Sequence, residues 1–158
     1  MKKALRFTRN ILLAVMAVGI CAAGLVALRG YQMYTDAVGE MPLYKRVRQI
    51  RAQEGFTPIG ALPDTYKNAV IAAEDHRFYS HNGLDFLAIG RAVWIDLRSM
   101  SFVEGGSTIT QQLAKNMLFT QEKELSRKAA VVFAAWELEA NYSKNEILEL
   151  YVNSIYFG

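Results

Sequence analysis

This chain of 158 residues has few cysteines and prolines, and its net charge is small. The single cysteine, Cys21, excludes an internal disulfide and therefore a small disulfide-stapled scaffold. Eleven glycines without a triplet period, three prolines and 52% hydrophobic residues exclude collagen and intrinsic disorder. The formal net charge is only +3, and much of this excess lies near the N-terminus, so we predict no nucleic-acid partner. The length allows one ordinary domain.

The one long apolar run is an uncharged stretch at residues 11–28. As a helix it would be roughly 27 Å long, close to the hydrocarbon thickness of a bilayer. We therefore predict a single transmembrane anchor at residues 11–29, after a basic cytoplasmic segment at residues 1–10. The cations before the run favour an N-terminus inside the cell and a domain on the outer, periplasmic or extracellular, face of the cytoplasmic membrane. The alternative is a cleaved signal peptide, with small residues at positions 22–24 near the cut.

Beyond the anchor, the sequence pattern predicts a mainly α body. Residues 30–60 show no sustained period, and we interpret them as a juxtamembrane connector to a domain at residues 61–158. Hydrophobic spacing predicts four helices, from residue 64 to about 79–83, from 107 or 108 to about 118, at about 122–141, and from 144 onward after a capping box of Ser143 and Glu146. The apolar stretch at residues 129–138 predicts that the third of these helices is buried.

Two adjacent carboxylates, Glu74 and Asp75, stand near the end of an apolar helical pattern, where the helix dipole disfavours negative charge by about 0.3–1 kcal/mol. If the helix continued, Glu74, Phe78 and His81 would lie within about 40° of one another. Such a surface suits a general base, and the alternative is a solvated helix end with a partly buried histidine. Together with His76, the two carboxylates and His81 could ligate a metal, but no i,i+4 histidine pair is present, so we predict no metal site.

A Gly-Gly-Ser-Thr sequence at residues 105–108 opens the next predicted helix. Unpaired N–H groups and hydroxyls at such a start could bind a phosphate, with Gln112 and Lys115 on the turns behind them. The residue order of a Walker loop is missing, and a plain helix cap is the alternative. Arg127 and Lys128 precede the apolar helix, either as a clamp on a phosphorylated ligand or as a solvated helix end.

Four ordered motifs resemble the peptidoglycan glycosyltransferase family, which comprises monofunctional transglycosylases and the N-terminal glycosyltransferase domain of bifunctional penicillin-binding proteins. The motifs are Glu74-Asp75-x-x-Phe78-x-x-His81-x-Gly83, Gly106-Ser107-Thr108-Ile109-Thr110-Gln111-Gln112-Leu113-x-Lys115-Asn116, Arg127-Lys128, and Lys144-x-x-Ile147-Leu148-Glu149-x-Tyr151-x-Asn153. The resemblance implies a mainly α, lysozyme-like glycosyltransferase domain, preceded by one transmembrane helix. Because the family domain extends further, it also implies a domain that is incomplete at its C-terminus.

The resemblance implies that the protein polymerises lipid II and releases undecaprenyl pyrophosphate. Glu74 would be the catalytic base that takes the proton from the 4-hydroxyl of the acceptor sugar. The implied substrate-binding residues are Asp75, Phe78, His81, Thr108, Gln112, Lys115, Arg127 and Lys128. The implied partners are lipid II, the growing glycan strand, the cytoplasmic membrane and other cell-wall synthesis proteins. The sequence requires no cofactor, and it leaves open whether a divalent cation binds. Residues 98–104 match a mobile, membrane-facing region of the family.

One position departs from the family pattern. The third motif of the family reads Arg-Lys-x-x-Glu, but Val131 occupies the glutamate position in this chain. Valine can neither ionise nor accept a hydrogen bond, and Glu124 would lie about 10.5 Å away along the helix axis. Three hypotheses remain: an active glycosyltransferase, a catalytically impaired relative that binds lipid II or cell-wall assembly partners, and a membrane-anchored helical protein whose motifs serve packing only.

Overall fold

The chain is mainly α, as its sequence predicts. The computed structural model describes residues 2–99, 106–119 and 125–155, and these contain seven α-helices and no strand. The helices are α1 (Lys2–Glu40), α2 (Leu43–Arg51), α3 (Asp64–Glu74), α4 (Phe86–Ser99), α5 (Ile109–Leu118), α6 (Leu125–Asn141) and α7 (Lys144–Ser154). Short 3-10 turns at Ile59–Ala61 and Phe78–Ser80 lie before and after α3.

Helix α1 is longer than the apolar run that predicts it. It continues without a break to Glu40, because the first proline of the sequence, Pro42, comes only after that residue. Within the described part of the chain, α1 is the one helix that is long and apolar enough to cross a membrane, judged by length and composition. Its apolar segment is not buried by the rest of the chain, whereas its last turns, from Gly30 onward, pack against α6.

Helix α2 lies within the region that the sequence left irregular. Its three apolar residues, Leu43, Val47 and Ile50, are buried against the rest of the core, and the helix packs on α7. The structure thus places helical residues in the range 30–60, where the sequence shows no sustained period, and the interpretation of this range as a juxtamembrane connector stays a prediction. Three apolar residues in two turns form one contact stripe, but they are too few to produce a sustained period in the sequence.

Helix α3 ends at Glu74, earlier than residues 79–83 where the sequence predicts its end. The next residue, Asp75, leaves the helix with φ −160° and ψ 75°. Its carboxylate accepts a hydrogen bond from Nε2 of His81 at 3.0 Å and one from the backbone N–H of Ile109 at 3.1 Å. The prediction that Glu74, Phe78 and His81 share one helix face is therefore wrong, because these tertiary bonds take the place of further helical turns.

Helix α4 has no counterpart among the predicted helices. It begins at Phe86 because Oδ1 of Asp85 accepts the backbone N–H groups of Leu87 at 2.9 Å and Ala88 at 3.0 Å, which caps the first turn. None of its described residues is buried. The helix nevertheless has an apolar face, and most of its large apolar side chains are exposed, among them Phe86, Leu87, Val93, Trp94 and Leu97.

Helices α5 and α7 begin where the sequence predicts. Thr108 and Gln111 form a reciprocal capping box at the start of α5, and Ser143 and Glu146 form the one predicted at the start of α7. The two helices pack on each other and on α6. Together, these three helices contribute most of the completely buried residues of the core, which include Ile109, Thr110, Leu113, Ala114, Ala130, Ala134, Ala135, Leu138, Ile147, Leu148, Leu150 and Tyr151.

Helix α6 is apolar nearly all round because it packs against other helices on two of its faces. One face, with Ala134, Ala135 and Leu138, lies in the core, and another face packs against α1. The predicted burial is confirmed for these residues, while Trp136 remains exposed. The first predicted residues of this helix, 122–124, lie outside the described part of the chain.

Candidate active site

A cleft of about 250 Å³ lies between the end of α3, the first ten residues of α4 and the segment before α5. Glu74, the carboxylate that the sequence proposes as a catalytic base, stands on its wall. The same wall holds His76 and Ser107, which the sequence offers as a metal ligand and a phosphate donor, and Arg91, to which the sequence gives no site role. The cleft therefore combines one exposed carboxylate with a cationic side chain and several polar groups.

Glu74 is oriented by a chain of hydrogen bonds that reaches into the core. Nε2 of Gln112 donates to Oε2 of Glu74 at 2.9 Å, and the hydroxyl of Tyr151 donates to Oε1 of Gln112 at 3.2 Å. Burial, followed by the negative charge of Glu74, raises the pKa of Tyr151 to about 12. The phenol therefore keeps its proton at neutral pH and remains a donor. Tyr151 belongs to the fourth sequence motif, but the motif alone gave it no role.

The predicted residues Asp75, Phe78 and His81 are brought together beneath the cleft. The Asp75 and His81 side chains are only 4% and 6% exposed, and both carboxylate oxygens of Asp75 lie 3.0 Å from Nε2 of His81. The Phe78 ring is fully buried and meets the His81 ring edge to face. Because one oxygen of Asp75 also accepts the first N–H of α5, this group fixes the end of α3 against the start of α5.

The start of α5 is capped by the chain itself. The hydroxyl of Thr108 accepts the N–H of Gln111 at 3.1 Å and donates to the carbonyl of Gly83 at 2.6 Å, and Thr108 is buried. The backbone N–H of Ile109 donates to Oδ2 of Asp75. The interpretation of the Gly-Gly-Ser-Thr sequence as a helix cap is therefore confirmed, and these two N–H groups are not unpaired donors for a phosphate.

The three predicted cations do not line the cleft. Lys115 lies on the later half of α5 and is exposed, while Arg127 and Lys128 lie on the first turn of α6. Lys128 is exposed and Arg127 is half-buried. A ligand that touched both Glu74 and these cations would have to extend beyond the cleft.

Glu139 joins four parts of the fold and was not predicted. Its Oε1 accepts hydrogen bonds from the backbone N–H of Gly83 at 3.0 Å, the hydroxyl of Thr110 at 2.6 Å and Nζ of Lys144 at 2.7 Å. The same Nζ lies 4.5 Å from the centroid of the Phe78 ring, in a cation–π contact. The signal that could have found Glu139 is a carboxylate on a buried apolar helix, five residues before a lysine.

Asp75, His81 and Asp85 form the one metal-competent group among the described residues, with ligand atoms within 4.8 Å of one another. It shares only Asp75 and His81 with the four residues that the sequence offers as ligands. Oδ2 of Asp85 lies 3.0 Å from Nε of Arg77, in an ion pair without hydrogen-bond geometry. Burial raises the pKa of Asp85, but the amides of Ala88 and Leu87 and the Arg77 charge outweigh it and lower the pKa. The chain thus already supplies partners for these carboxylates, and the absence of a metal site stays a prediction.

Val131 is buried in the core at 8% exposure. It lies one helical turn after Arg127 on α6, so the two residues share a face of the helix. Glu124 and residues 100–104 of the predicted membrane-facing segment lie outside the described part of the chain.

Residues 43–158 match the family model described as Transglycosylase. Penicillin-binding protein 1F of Bacillus subtilis (strain 168) is 50% identical over 100 residues, which are 63% of this chain and 14% of that protein. Penicillin-binding protein 1A/1B of the same strain is 46% identical over 115 residues, which are 72% of this chain and 13% of that protein. Penicillin-binding protein 1A of Neisseria lactamica is 50% identical over 103 residues, 65% of this chain and 13% of that protein. The matches thus span about one seventh or less of these relatives.

Proposed function

This chain belongs to the transglycosylase family, and we propose that it polymerises lipid II into the glycan strands of peptidoglycan. In each cycle, the 4-hydroxyl oxygen of the acceptor sugar would form a bond to the anomeric carbon of the donor. The bond from that carbon to the diphosphate would break, and undecaprenyl pyrophosphate would leave. The lysozyme-like, all-α fold of the family agrees with the helices of this chain.

The position of Glu74 is the observation that carries this proposal. Its carboxylate is exposed on the wall of the cleft, where it can accept the proton of the acceptor hydroxyl as that oxygen attacks. Gln112, itself bonded to Tyr151, fixes the direction of the carboxylate before the substrate arrives. A positioned general base contributes a rate factor of about 10²–10⁴.

The other predicted site residues form two groups, one of buried side chains that hold the cleft in shape and one of cationic side chains outside the cleft. Asp75, Phe78, His81 and Thr108 are buried, so we infer that they act by holding the loop and the two helix ends that form the cleft. Lys115, Arg127 and Lys128 would stabilise the charge that develops on the departing diphosphate. Since these cations lie outside the cleft, the donor would extend from Glu74 towards α6.

Helix α1 would anchor the protein in the cytoplasmic membrane, with the N-terminus inside and the cleft on the outer face. The membrane would then be the source of the substrate, because lipid II carries a polyprenyl chain. The growing glycan strand is the second proposed partner, and other cell-wall synthesis proteins are further candidates.

A second candidate function rests on Val131. A carboxylate stands at this position in the family motif, and a buried valine can supply neither charge nor hydrogen bond. The chain could then bind lipid II without polymerising it.

Polymerisation of labelled lipid II by the full chain in lipid vesicles tests both candidates. We expect glycan strands from the parent chain and a rate at least about 10²-fold lower from Glu74→Gln, since the amide cannot accept the proton. Glu54→Gln removes an exposed carboxylate elsewhere and is the matched control. Equal rates for Glu74→Gln and the parent would refute the role of Glu74.

Val131→Glu separates the two candidates. Arg127 lies one turn earlier and would offset part of the cost of burying a glutamate at this position, and circular dichroism checks that the substituted chain folds. If only the substituted chain forms strands, while the parent binds lipid II without turnover, the impaired candidate is correct. If neither protein binds lipid II, both candidates fail.

A further inference from the structure

We propose that Gly30 is a positioning residue, which fixes the height of the cationic start of α6 above the membrane surface. This inference rests on the proposed membrane anchor and on the proposed use of a lipid-linked diphosphate. It assigns a function to the unusually close crossing of α1 and α6, which neither the motifs nor the cleft require.

The crossing is closer than any side chain would allow. A Cβ on Gly30 would lie 2.4 Å from Cβ of Ala129, 2.9 Å from the backbone N of Ala130 and 2.9 Å from the carbonyl O of Ser126. Two of these three atoms belong to the α6 backbone, so no rotamer change can make room for a side chain. The helices are therefore locked in contact at this point of α1.

Contacts further along show that the two helices run in the same direction. The Tyr31 and Tyr34 rings lie 5.3 and 6.1 Å from the ring of Phe133, and the Tyr34 hydroxyl donates to Glu137. As α1 advances from Gly30 to Tyr34, its contacts on α6 thus advance towards the C-terminus of α6. The N-terminus of α6 consequently faces the same way as the apolar segment of α1.

This register sets a height for Arg127 and Lys128. Gly30 comes two residues after the end of the apolar run at Leu28, which is about 3 Å along a helix. Arg127 and Lys128 stand between Ser126 and Ala129, so their backbone lies within about one turn, roughly 5.4 Å, of the crossing. The polar layer on each side of a bilayer is roughly 5–8 Å deep. The two cations therefore stand at the depth where the diphosphate of a membrane-borne glycolipid lies.

A heptapeptide inserted between Leu28 and Arg29 tests this height without disturbing the crossing. A charged, helix-forming insert of seven residues would lift the body by about 10.5 Å and turn it by only about 20°. The same heptapeptide inserted between Thr8 and Arg9 lengthens the other end of α1 and is the matched control. Gly30→Ala and Gly39→Ala form a second pair, because a Cβ on Gly39 meets no atom within 4 Å.

The first readout is depth in vesicles. A fluorophore is attached at Lys128→Cys in a Cys21→Ser background and is exposed to quenchers on the lipid headgroups. We expect strong quenching in the parent, the Thr8–Arg9 insertion and Gly39→Ala. In the Leu28–Arg29 insertion, quenching should fall by at least about threefold, and Gly30→Ala should alter it in the same assay. Weak quenching in the parent, unchanged quenching after the Leu28–Arg29 insertion, or equal quenching in Gly30→Ala and Gly39→Ala would overturn the inference.

The second readout is polymerisation by chains that retain Lys128. The Leu28–Arg29 insertion should lower the rate on lipid II in vesicles by at least about tenfold and leave the rate on detergent-dissolved lipid II unchanged. A merely structural effect would lower both rates equally and would contradict the inference. If no variant and no parent chain polymerises lipid II, the proposed function fails, while the quenching result still decides the position of α6.

Discussion

Replacing Glu139 should destabilise the fold strongly, because this one carboxylate connects four parts of the chain. Glu139→Ala removes the partner of Lys144 and leaves the Thr110 hydroxyl and the Gly83 N–H without their acceptor. The carboxylate is 8% exposed and the Lys144 side chain is 18% exposed, so water replaces little of what is lost.

The magnitude follows from these contacts. Removal of one partner of a buried ion pair costs about 3–5 kcal/mol, and each orphaned buried donor costs about 1–3 kcal/mol. Since neighbouring losses are not additive, we expect a decrease of about 4 kcal/mol or more in the free energy of unfolding. Glu139→Gln keeps one acceptor oxygen but loses the charge, and should cost about 1–3 kcal/mol.

The assay is urea unfolding of the full chain in detergent micelles, followed by tryptophan fluorescence, since Trp136 lies one turn from Glu139 on α6. Glu54→Ala, at an exposed position, is the control and should change the unfolding midpoint little. Combining Glu139→Ala with Lys144→Met should cost less than the sum of the two single changes, because the lysine no longer needs a counter-charge. A loss below about 1 kcal/mol for Glu139→Ala, or full additivity, would refute the reasoning.

Further predictions concern the hydrogen-bond chain and the cap of α4. Tyr151→Phe removes the hydrogen bond of the phenol to Gln112 and its interaction with Glu74. The turnover rate should fall at least about 2- to 10-fold, which is the loss expected from one neutral hydrogen bond of about 0.5–1.5 kcal/mol, with little change in KM. An unchanged rate would contradict the role of the phenol. Asp85 has a lowered pKa in the folded state, so its contribution to stability is present above its unfolded pKa of about 4 and is lost as the pH falls through the lower folded value. Asp85→Asn should therefore be less stable than the parent at pH 7, and the difference should shrink on acidification to about pH 3. Melting curves at several pH values, compared with those of Glu54→Gln, check this. A constant difference would exclude the ionised carboxylate, held by the Ala88 amide and the Arg77 charge, as its cause.

The parts of the fold that the sequence predicts well are those held by local interactions. The helix starts at Thr108 and Ser143 follow from capping boxes, in which both partners lie within three residues of each other. The membrane-length helix follows from an uncharged run of residues, which requires no knowledge of any neighbour. Glu74 as a candidate base also follows from a local motif.

The parts that only the tertiary structure decides depend on partners far away in the chain. Helix α3 ends at Glu74 because Asp75 bonds to the N–H of Ile109, 34 residues later, and no local pattern announces that bond. Glu139 collects its donors from positions 56 and 29 residues earlier as well as from Lys144. The height of α6 beside α1 is likewise set by contacts across about a hundred residues, and by the absence of a side chain at Gly30. The sequence therefore determined the helices that have local signals and singled out Glu74 as a candidate base. Long-range hydrogen bonds and close packing decided the direction of the Glu74 carboxylate and the positions of Arg127 and Lys128.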